Sequence, residues 1–478
     1  MNEHAYPELG LYIDGQWRCG GGRVSEPVIN PATEEVLADL WHAGSEDLAD
    51  ALASSERAFR AWRRVSAYDR AKVLRRAAEN VRARRDAIAV VLTLEQGKIL
   101  AESRAEVDAA ADIIEWAAEE GRRVYGRVVP GRAADMRQLV MPEPVGPSAA
   151  FTPWNFPATT PARKIATAIA AGCSVVIKAA EETPGTAVEI VRAFVEAGVP
   201  AGVLNLVFGN PAHVSETLIA SPVIRKISFT GSVPVGKHLT RLAADGMKRV
   251  TMELGGHSPA IVFDDANVTQ AARILAAGKY RNAGQVCIAP SRFYVHQTVA
   301  DEFAAAFVAE AAALTLGDGL DPAATMGPMA NPRRLDAMDR FMADPALGGE
   351  VLLGGSRTGN RGYFFQPTVL REVSNTSRLM QEEPFGPLAP INAFSEFDEV
   401  IASANALPYG LAAYVFTGSV RTALAASSEI EAGMIAVNSL SMTLTETPMG
   451  GVKDSGQGYE GGTEGIEGYL NRKFVSLT

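Results

Sequence analysis

Ser174-Val175-Val176-Ile177-Lys178-Ala179-Ala180-Glu181-Glu182-Thr183-Pro184 is the stretch that decides the fold. It reads as a strand apolar on both faces, running into a helix over 183–197. The same alternation recurs on either side. Upstream stand a short apolar strand, Ser148–Phe151, and an Ala-rich helix over 161–171. Downstream come strands at 203–208, 224–229 and 249–252, with a helix over 235–244. Repeated units of this kind build a mostly parallel sheet covered by helices, so the fold class is α/β. A second alternating set runs from Pro259-Ala260-Ile261-Val262-Phe263 to about Asn438. Before 144 the periodicity predicts helices over 45–62, behind a Ser cap and with Leu48, Leu52 and Phe59 in phase, over 68–95 and over 101–119. Residues 124–140 and the tail 469–475 read as exposed strands that pair outside their own domain.

The chain's 478 residues exceed what one core usually serves, so two or three domains are expected. Its 47% hydrophobic and 21% charged residues are ordinary for a soluble enzyme. A formal charge of −10 argues against nucleic acid or an anionic membrane as partner. The densest basic run, Arg57 to Arg85, has helical spacing and reads as a solvated face. Three cysteines (Cys19, Cys173, Cys287) give no disulfide framework and no zinc spacing, which suits a reducing compartment. Met1-Asn2-Glu3-His4 lacks the basic flank of a signal peptide, and no apolar stretch reaches the ~20 residues of a membrane span. The expected location is the cytoplasm.

Four segments carry chemistry. Cys287 lies in Tyr280-Arg281-Asn282-Ala283-Gly284-Gln285-Val286-Cys287-Ile288-Ala289, a small and polar loop that offers a thiol nucleophile. Glu253, in Met252-Glu253-Leu254-Gly255-Gly256, offers a carboxylate to handle protons. In Phe151-Thr152-Pro153-Trp154-Asn155-Phe156-Pro157 two prolines stiffen the backbone, so the Asn155 amide can face a developing oxyanion. A tight turn with a packed aromatic accounts for that segment when it is taken without partners. The fourth segment is Phe229-Thr230-Gly231-Ser232-Val233-Pro234-Val235-Gly236, whose amides would draw a pyrophosphate; a plain strand–helix turn explains it as well. Lys178 ends its strand at the edge where α/β sheets bind ligands. Glu181, three residues on, can accept both ribose hydroxyls and would repel a 2′-phosphate, although a solvated ion pair reads equally from the segment alone.

In order and spacing, Pro153-Trp154-Asn155-Phe156-Pro157, Phe229-Thr230-Gly231-Ser232, Glu253-Leu254-Gly255-Gly256, Gly284-Gln285-Val286-Cys287, Glu382-Glu383-Pro384-Phe385-Gly386-Pro387 and Pro448-Met449-Gly450-Gly451-Val452-Lys453-Asp454-Ser455-Gly456 resemble the aldehyde dehydrogenase superfamily over nearly the whole chain. The resemblance implies a Rossmann-type dinucleotide domain (1–122 and 143–253), an α/β catalytic domain (254–454) and a small β oligomerisation segment (123–142 and 455–478). It implies that Cys287 attacks the aldehyde, that Asn155 and the Cys287 N–H hold the oxyanion, and that Glu253 activates the hydrolytic water. NAD rather than NADP is implied as cofactor. Lys178 and Glu181 would sit at the adenosine ribose, Ser232 at the pyrophosphate, Glu383 at the nicotinamide ribose and Phe385 beside the ring. Thr152, Pro153, Trp154, Gly209, Gly231 and Leu254 would line the crevice. No metal is implied, and a homodimer or homotetramer is.

Within the superfamily the chain is most similar to succinate-semialdehyde dehydrogenases. By that likeness Arg163, Arg281 and Thr443 would bind the substrate's carboxylate. Two departures stand out: Ala289 where many of those enzymes carry a second cysteine, and Met442 and Leu444, read as adding apolar bulk on the substrate side. The alternatives are a general aliphatic or aromatic aldehyde dehydrogenase, a cysteine-dependent esterase or amidase, and a catalytically inert structural homologue. Cys173 reads as a core residue, Cys19 as a turn residue, His257 as packed, and His213 and His238 as surface positions.

Overall fold

The computed structural model describes residues 6–478; the reading of Met1–His4 lies outside them. The first sheet has eight strands, in spatial order Gly456–Gln457, Arg249–Leu254, Lys226–Gly231, Ser148–Phe151, Val175–Lys178, Leu204–Val207, Leu11–Ile13 and Gln16–Arg18. The five from Arg249–Leu254 to Leu204–Val207 are parallel. The flanking strands run antiparallel. Ser148–Phe151, Val175–Lys178 and Leu204–Val207 are buried at every position, as helices on both faces require.

A second sheet of seven strands is ordered Glu350–Leu353, Thr368–Arg371, Leu388–Phe394, Pro290–His296, Ser258–Val262, Ala412–Phe416 and Met434–Val437. All its neighbours pair in parallel except the edge strand Glu350–Leu353. Each large sheet has its own apolar core. A third, antiparallel sheet joins Leu470–Leu477, Arg137–Pro144 and Arg127–Pro130. Its outer side chains Val128, Met141 and Phe474 are exposed. No helix among the described residues is long and apolar enough to cross a membrane.

Local chemistry corrects several boundaries. The helix expected over 68–95 is two, Ala67–Ala83 and Arg85–Gln96. Arg84 leaves helical backbone between them (φ −107°, ψ 15°) and turns its guanidinium to Glu189 and Glu196. The cap of Ser45–Trp62 is Gly44, whose N–H donates to Asp47 at 3.1 Å, and not a serine. A helix the periodicity did not announce, Pro211–Ala220, starts where Asn210 accepts the N–H groups of Ala212 and His213. The N-terminal strands, including the pair Ser25–Ile29 and Val36–Trp41, were not expected either.

Phe307 packs in the second core against Tyr280, Phe293 and Phe303, with ring centroids 5.9, 5.0 and 5.7 Å away. Truncation there leaves a cavity that neighbours on three elements must collapse to fill. Phe307→Ala is expected to cost about 3–5 kcal/mol, read as a lower melting temperature. An unchanged melting curve would contradict this account of the core.

Candidate active site

Cys287 is delivered by an unusual turn. Asn282, Ala283 and Gly284 all have left-handed backbone (φ 51°, 52° and 75°). For Asn282 this is tolerable, for Gly284 natural, and for Ala283 a strain that the surroundings must hold. Hydrogen bonds from both sides of the turn hold it. Asn282 Nδ2 donates to the carbonyls of Asn155 at 3.1 Å and Gln285 at 3.3 Å. The Asn282 N–H donates to Glu102, and Gln285 Oε1 accepts the Ala330 N–H at 2.9 Å.

Asn155, buried, donates Nδ2 to the Gln285 carbonyl at 3.1 Å. The turn from Ser148–Phe151 and the loop before Pro290–His296 thus meet, and Asn155 and Cys287 line one cavity of about 250 Å³. The three residues expected at the substrate's charged end, Arg163, Arg281 and Thr443, line the same cavity. Arg163 Nη1 reaches only the Met449 sulfur at 2.8 Å, and its buried Nε has no partner. The Arg281 guanidinium lies 5.5 Å from the centre of the Phe156 ring. Met442 faces the second core and Leu444 is exposed, so neither lines the cavity. The apolar bulk comes from Phe156, Ile113, Ile288 and Met449 instead.

Glu253 ends the strand beside the tail, paired with Gly456. Gly456 has φ 150°, and a Cβ there would collide with the Met252 carbonyl. Both Glu253 carboxylate oxygens are buried without a hydrogen-bond partner. Burial, then the Glu460 carboxylate, pushes Glu253 well above the ordinary carboxylate range. Burial alone would raise Glu460 too, but Lys164 and Arg163 hold it below that range. Lys164 Nζ meets Glu460 at 2.5 Å and Ser228 Oγ at 2.9 Å. Sequence reasoning missed Glu460, Lys164, Lys98, Glu106 and Asn282. Asn282, in the cysteine loop, and Lys164, next to Arg163, stood beside residues already singled out.

At the other side of Cys287, Glu383 accepts the Gly256 N–H at 3.2 Å, and a Cβ at Gly255 would collide with its carboxylate. Burial raises Glu383 to about 7. Phe385 stands edge-on to Trp154, centroids 5.6 Å apart. At the end of Val175–Lys178, Lys178 Nζ meets Glu181 Oε2 at 2.5 Å, and Glu181 Oε1 accepts the Gly209 N–H at 3.1 Å. Ser232 precedes the helix Val233–Ala244, and its side chain does not cap it. Thr152 Oγ1, at the same sheet edge, is buried and unpartnered. An orphan hydroxyl, an uncapped helix start and a strand-end ion pair fit a dinucleotide along this edge.

The other candidates are settled by their surroundings. His257 is buried, with one ring nitrogen at Ser291 Oγ (2.8 Å) and the other at the Leu379 carbonyl (2.9 Å). Cys173 is buried and its thiol is pushed up to about 11 by burial. Cys19, His213 and His238 are exposed. Among the described residues no group of three His, Cys, Asp or Glu could hold a metal ion.

Residues 17–475 match the aldehyde dehydrogenase family, and the chain belongs to it. It is 48% identical to the putative 4-(hydroxymethyl)benzenesulfonate dehydrogenase TsaD2 of Comamonas testosteroni, over 97% of both chains. It is 40% identical to the NADP(+) succinate-semialdehyde dehydrogenase GabD of Escherichia coli K12, again over 97% of both. The solved succinate-semialdehyde dehydrogenase of Burkholderia pseudomallei superposes with a TM-score of 0.97 at 40% identity, covering 100% of this chain and 99% of that one.

Burial, then Glu383 and Glu253, pushes the Cys287 thiol up to about 12, against Arg281. A thiol raised that far is neutral at pH 7, and its thiolate fraction grows about tenfold per pH unit up to its pKa. Alkylation of Cys287 by iodoacetamide without nucleotide, followed by peptide mass, is therefore expected to climb from pH 7 to 9.5 without a plateau. Glu383→Gln is expected to speed it roughly three- to tenfold at pH 9, because one like charge is gone. A curve that bends over near pH 9 would show the thiol unshifted.

Proposed function

We propose that the protein oxidises an aldehyde carrying an anionic group to the free acid, reducing NAD. The observation that carries this is the meeting of Cys287, Asn155, Arg163, Arg281 and Thr443 in one cavity. The substrate class is a carboxylated semialdehyde such as succinate semialdehyde, or a sulfonated aldehyde with an aromatic or extended body. The sulfonate is favoured by the name of the 48% identical relative, and Phe156, Ile113 and Ile288 suit an apolar body.

The Cys287 thiolate adds to the carbonyl carbon, forming the C–S bond while the π pair moves to oxygen. The free N–H of the Asn155 amide, with the Cys287 N–H, donates to that oxyanion. Bound nicotinamide supplies the hydride acceptor, and loss of hydride from the carbon leaves a thioester. Glu253, ionised, takes a proton from water as the oxygen attacks the thioester carbon, and the C–S bond breaks to free acid and thiolate. A carboxyl raised by burial is a stronger base once ionised, which suits that step. Neither its oxygens nor the water need a metal.

Lys178 and Glu181 bind the adenosine ribose, Ser232 the pyrophosphate and Glu383 the nicotinamide ribose. Thr152, Pro153, Trp154, Gly209, Gly231, Leu254 and Phe385 line the crevice. Glu181 favours NAD, since a 2′-phosphate would face a carboxylate already committed to Gly209. NADP is the second reading, supported by GabD and by Lys178, whose ammonium would pair with the phosphate if Glu181 turned away. We assign 1–122 and 143–253 to dinucleotide binding, 254–454 to catalysis, and 123–142 with 455–478 to pairing between subunits. The exposed Val128, Met141 and Phe474 support a homodimer or homotetramer. The sparing use of cysteine supports a reducing compartment, and we assign the protein to the cytoplasm.

Reduction of NAD and NADP is to be followed at 340 nm with succinate semialdehyde, glutarate semialdehyde, 4-formylbenzenesulfonate, butanal and benzaldehyde. Arg163→Ala and Arg281→Ala are each expected to raise KM for the anionic members about 10- to 100-fold, as loss of a charged hydrogen-bond partner does, and to leave butanal within about twofold. Wild-type rates on butanal equal to those on the anionic members, with both variants unaffected on every substrate, would leave a general aldehyde dehydrogenase. Cys287→Ser is expected to abolish turnover with every substrate.

A further inference from the structure

The turn that carries Asn155 is fixed by side chains. Its carbonyl accepts Lys98 Nζ at 2.7 Å and Asn282 Nδ2 at 3.1 Å. Lys98 follows Gly97, whose left-handed backbone (φ 96°) ends the helix Arg85–Gln96. A Cβ at Gly97 would lie 2.8 Å from Pro328 Cγ and 2.9 Å from Pro31 Cγ, so glycine is required there. From that corner the Lys98 side chain runs inward. It is 1% exposed, pairs with Glu106 Oε2 at 2.6 Å and lies 4.1 Å from the centre of the Phe156 ring. Glu106 Oε1 accepts the N–H groups of Ala158 at 2.8 Å and Thr159 at 3.3 Å. One buried ion pair therefore grips both ends of the segment 155–159.

An ion pair this buried is a poor device for stability, because desolvating two charges offsets what their attraction returns. It is a good device for fixing one geometry. We propose that Lys98, held by Glu106, is a positioning residue for the Asn155 amide. The ammonium clamps the Asn155 carbonyl, Gln285 takes one N–H of Nδ2, and the other N–H is left for the cavity that Asn155 shares with Cys287. The inference rests on the aldehyde-oxidation reading, in which that N–H meets the oxyanion. Asn282 is the second arm of the clamp, tying the same carbonyl to the cysteine loop.

Lys98→Met keeps the length of the side chain and removes the donor. An oxyanion donor is worth about 10²–10³ in kcat, and misplacing it loses a large share of that. The expected loss for Lys98→Met is about 10- to 100-fold in kcat, with KM for nucleotide within about twofold. The decisive readout is a cycle with Asn155→Ala: if Lys98 acts through Asn155, Lys98→Met adds little to the loss already made by Asn155→Ala. Multiplying losses, or no loss, overturns the proposal. Should Lys98→Met fail to fold, Lys98→Met/Glu106→Gln removes both charges and keeps both shapes. If that variant also fails to fold, the pair is structural and the proposal falls. The cycle is run in parallel on cleavage of p-nitrophenyl acetate, which needs the thiol and the amide but no nucleotide. A wild type that cleaves the ester and oxidises no aldehyde sinks the functional reading, while the ester cycle still decides the role of Lys98.

Discussion

A lysine ammonium or a carboxylate driven into protein costs several kcal/mol unless an opposite charge or a set of hydrogen bonds meets it. At and beside the site this chain meets that demand repeatedly. Lys98 is answered by Glu106, Lys164 by Glu460, and Lys178 by Glu181. Lys164–Glu460 joins residues 296 apart, and Lys98–Glu106 grips the distant segment 155–159, so these charges act as registration marks between separate parts of the chain, while Lys178–Glu181 closes a strand end. Glu253 and Cys287 are left out of the pairing. Glu253 has no hydrogen-bond partner, and Cys287 sits among carboxylates with only Arg281 opposing. In the proposed mechanism these two carry the chemistry, and perturbed titration concentrates at such groups in proteins.

The parallel strands were legible because burial on both faces leaves a continuous apolar run, as in Val175-Val176-Ile177. The segments around Cys287, Asn155 and Glu253 were legible because glycine, proline and a lone thiol stand where packing gives them little reason to be. The N-terminal strands were not, since Leu11–Ile13 and its hairpin partner Gln16–Arg18 are three residues long each and join the sheet through Leu206, far away in sequence. Lys98 and Glu460 carry no local signal that sets them apart from other charged residues. Their burial is decided by Asn155 and Lys164, 57 and 296 residues distant, and no local pattern encodes it. Met442 was assigned to the substrate side for the same reason in reverse: an apolar residue in a site loop can belong to the core behind it.

The tail shows how far the site depends on chain closure. Ser455 Oγ accepts the Gly410 N–H at 2.9 Å and donates to the Gly255 carbonyl at 2.8 Å, which locks the segment before it against the strand end that carries Glu253. Gly456 then pairs with Glu253, and Glu460 drops into the pocket formed by Lys164 and Ser228. Ten residues later the chain emerges as Leu470–Leu477 and pairs along the whole of Arg137–Pro144. The groups that set the charge around Glu253 and the strand that ends the exposed sheet are therefore one short piece of chain. Tyr469, just before the outer strand, sets its ring 4.6 Å from Lys226 Nζ, which donates to Thr251 Oγ1 on Arg249–Leu254, the strand that carries Glu253. Packing of this density does not deform smoothly. The exposed sheet and the base of the site consequently have to be right together.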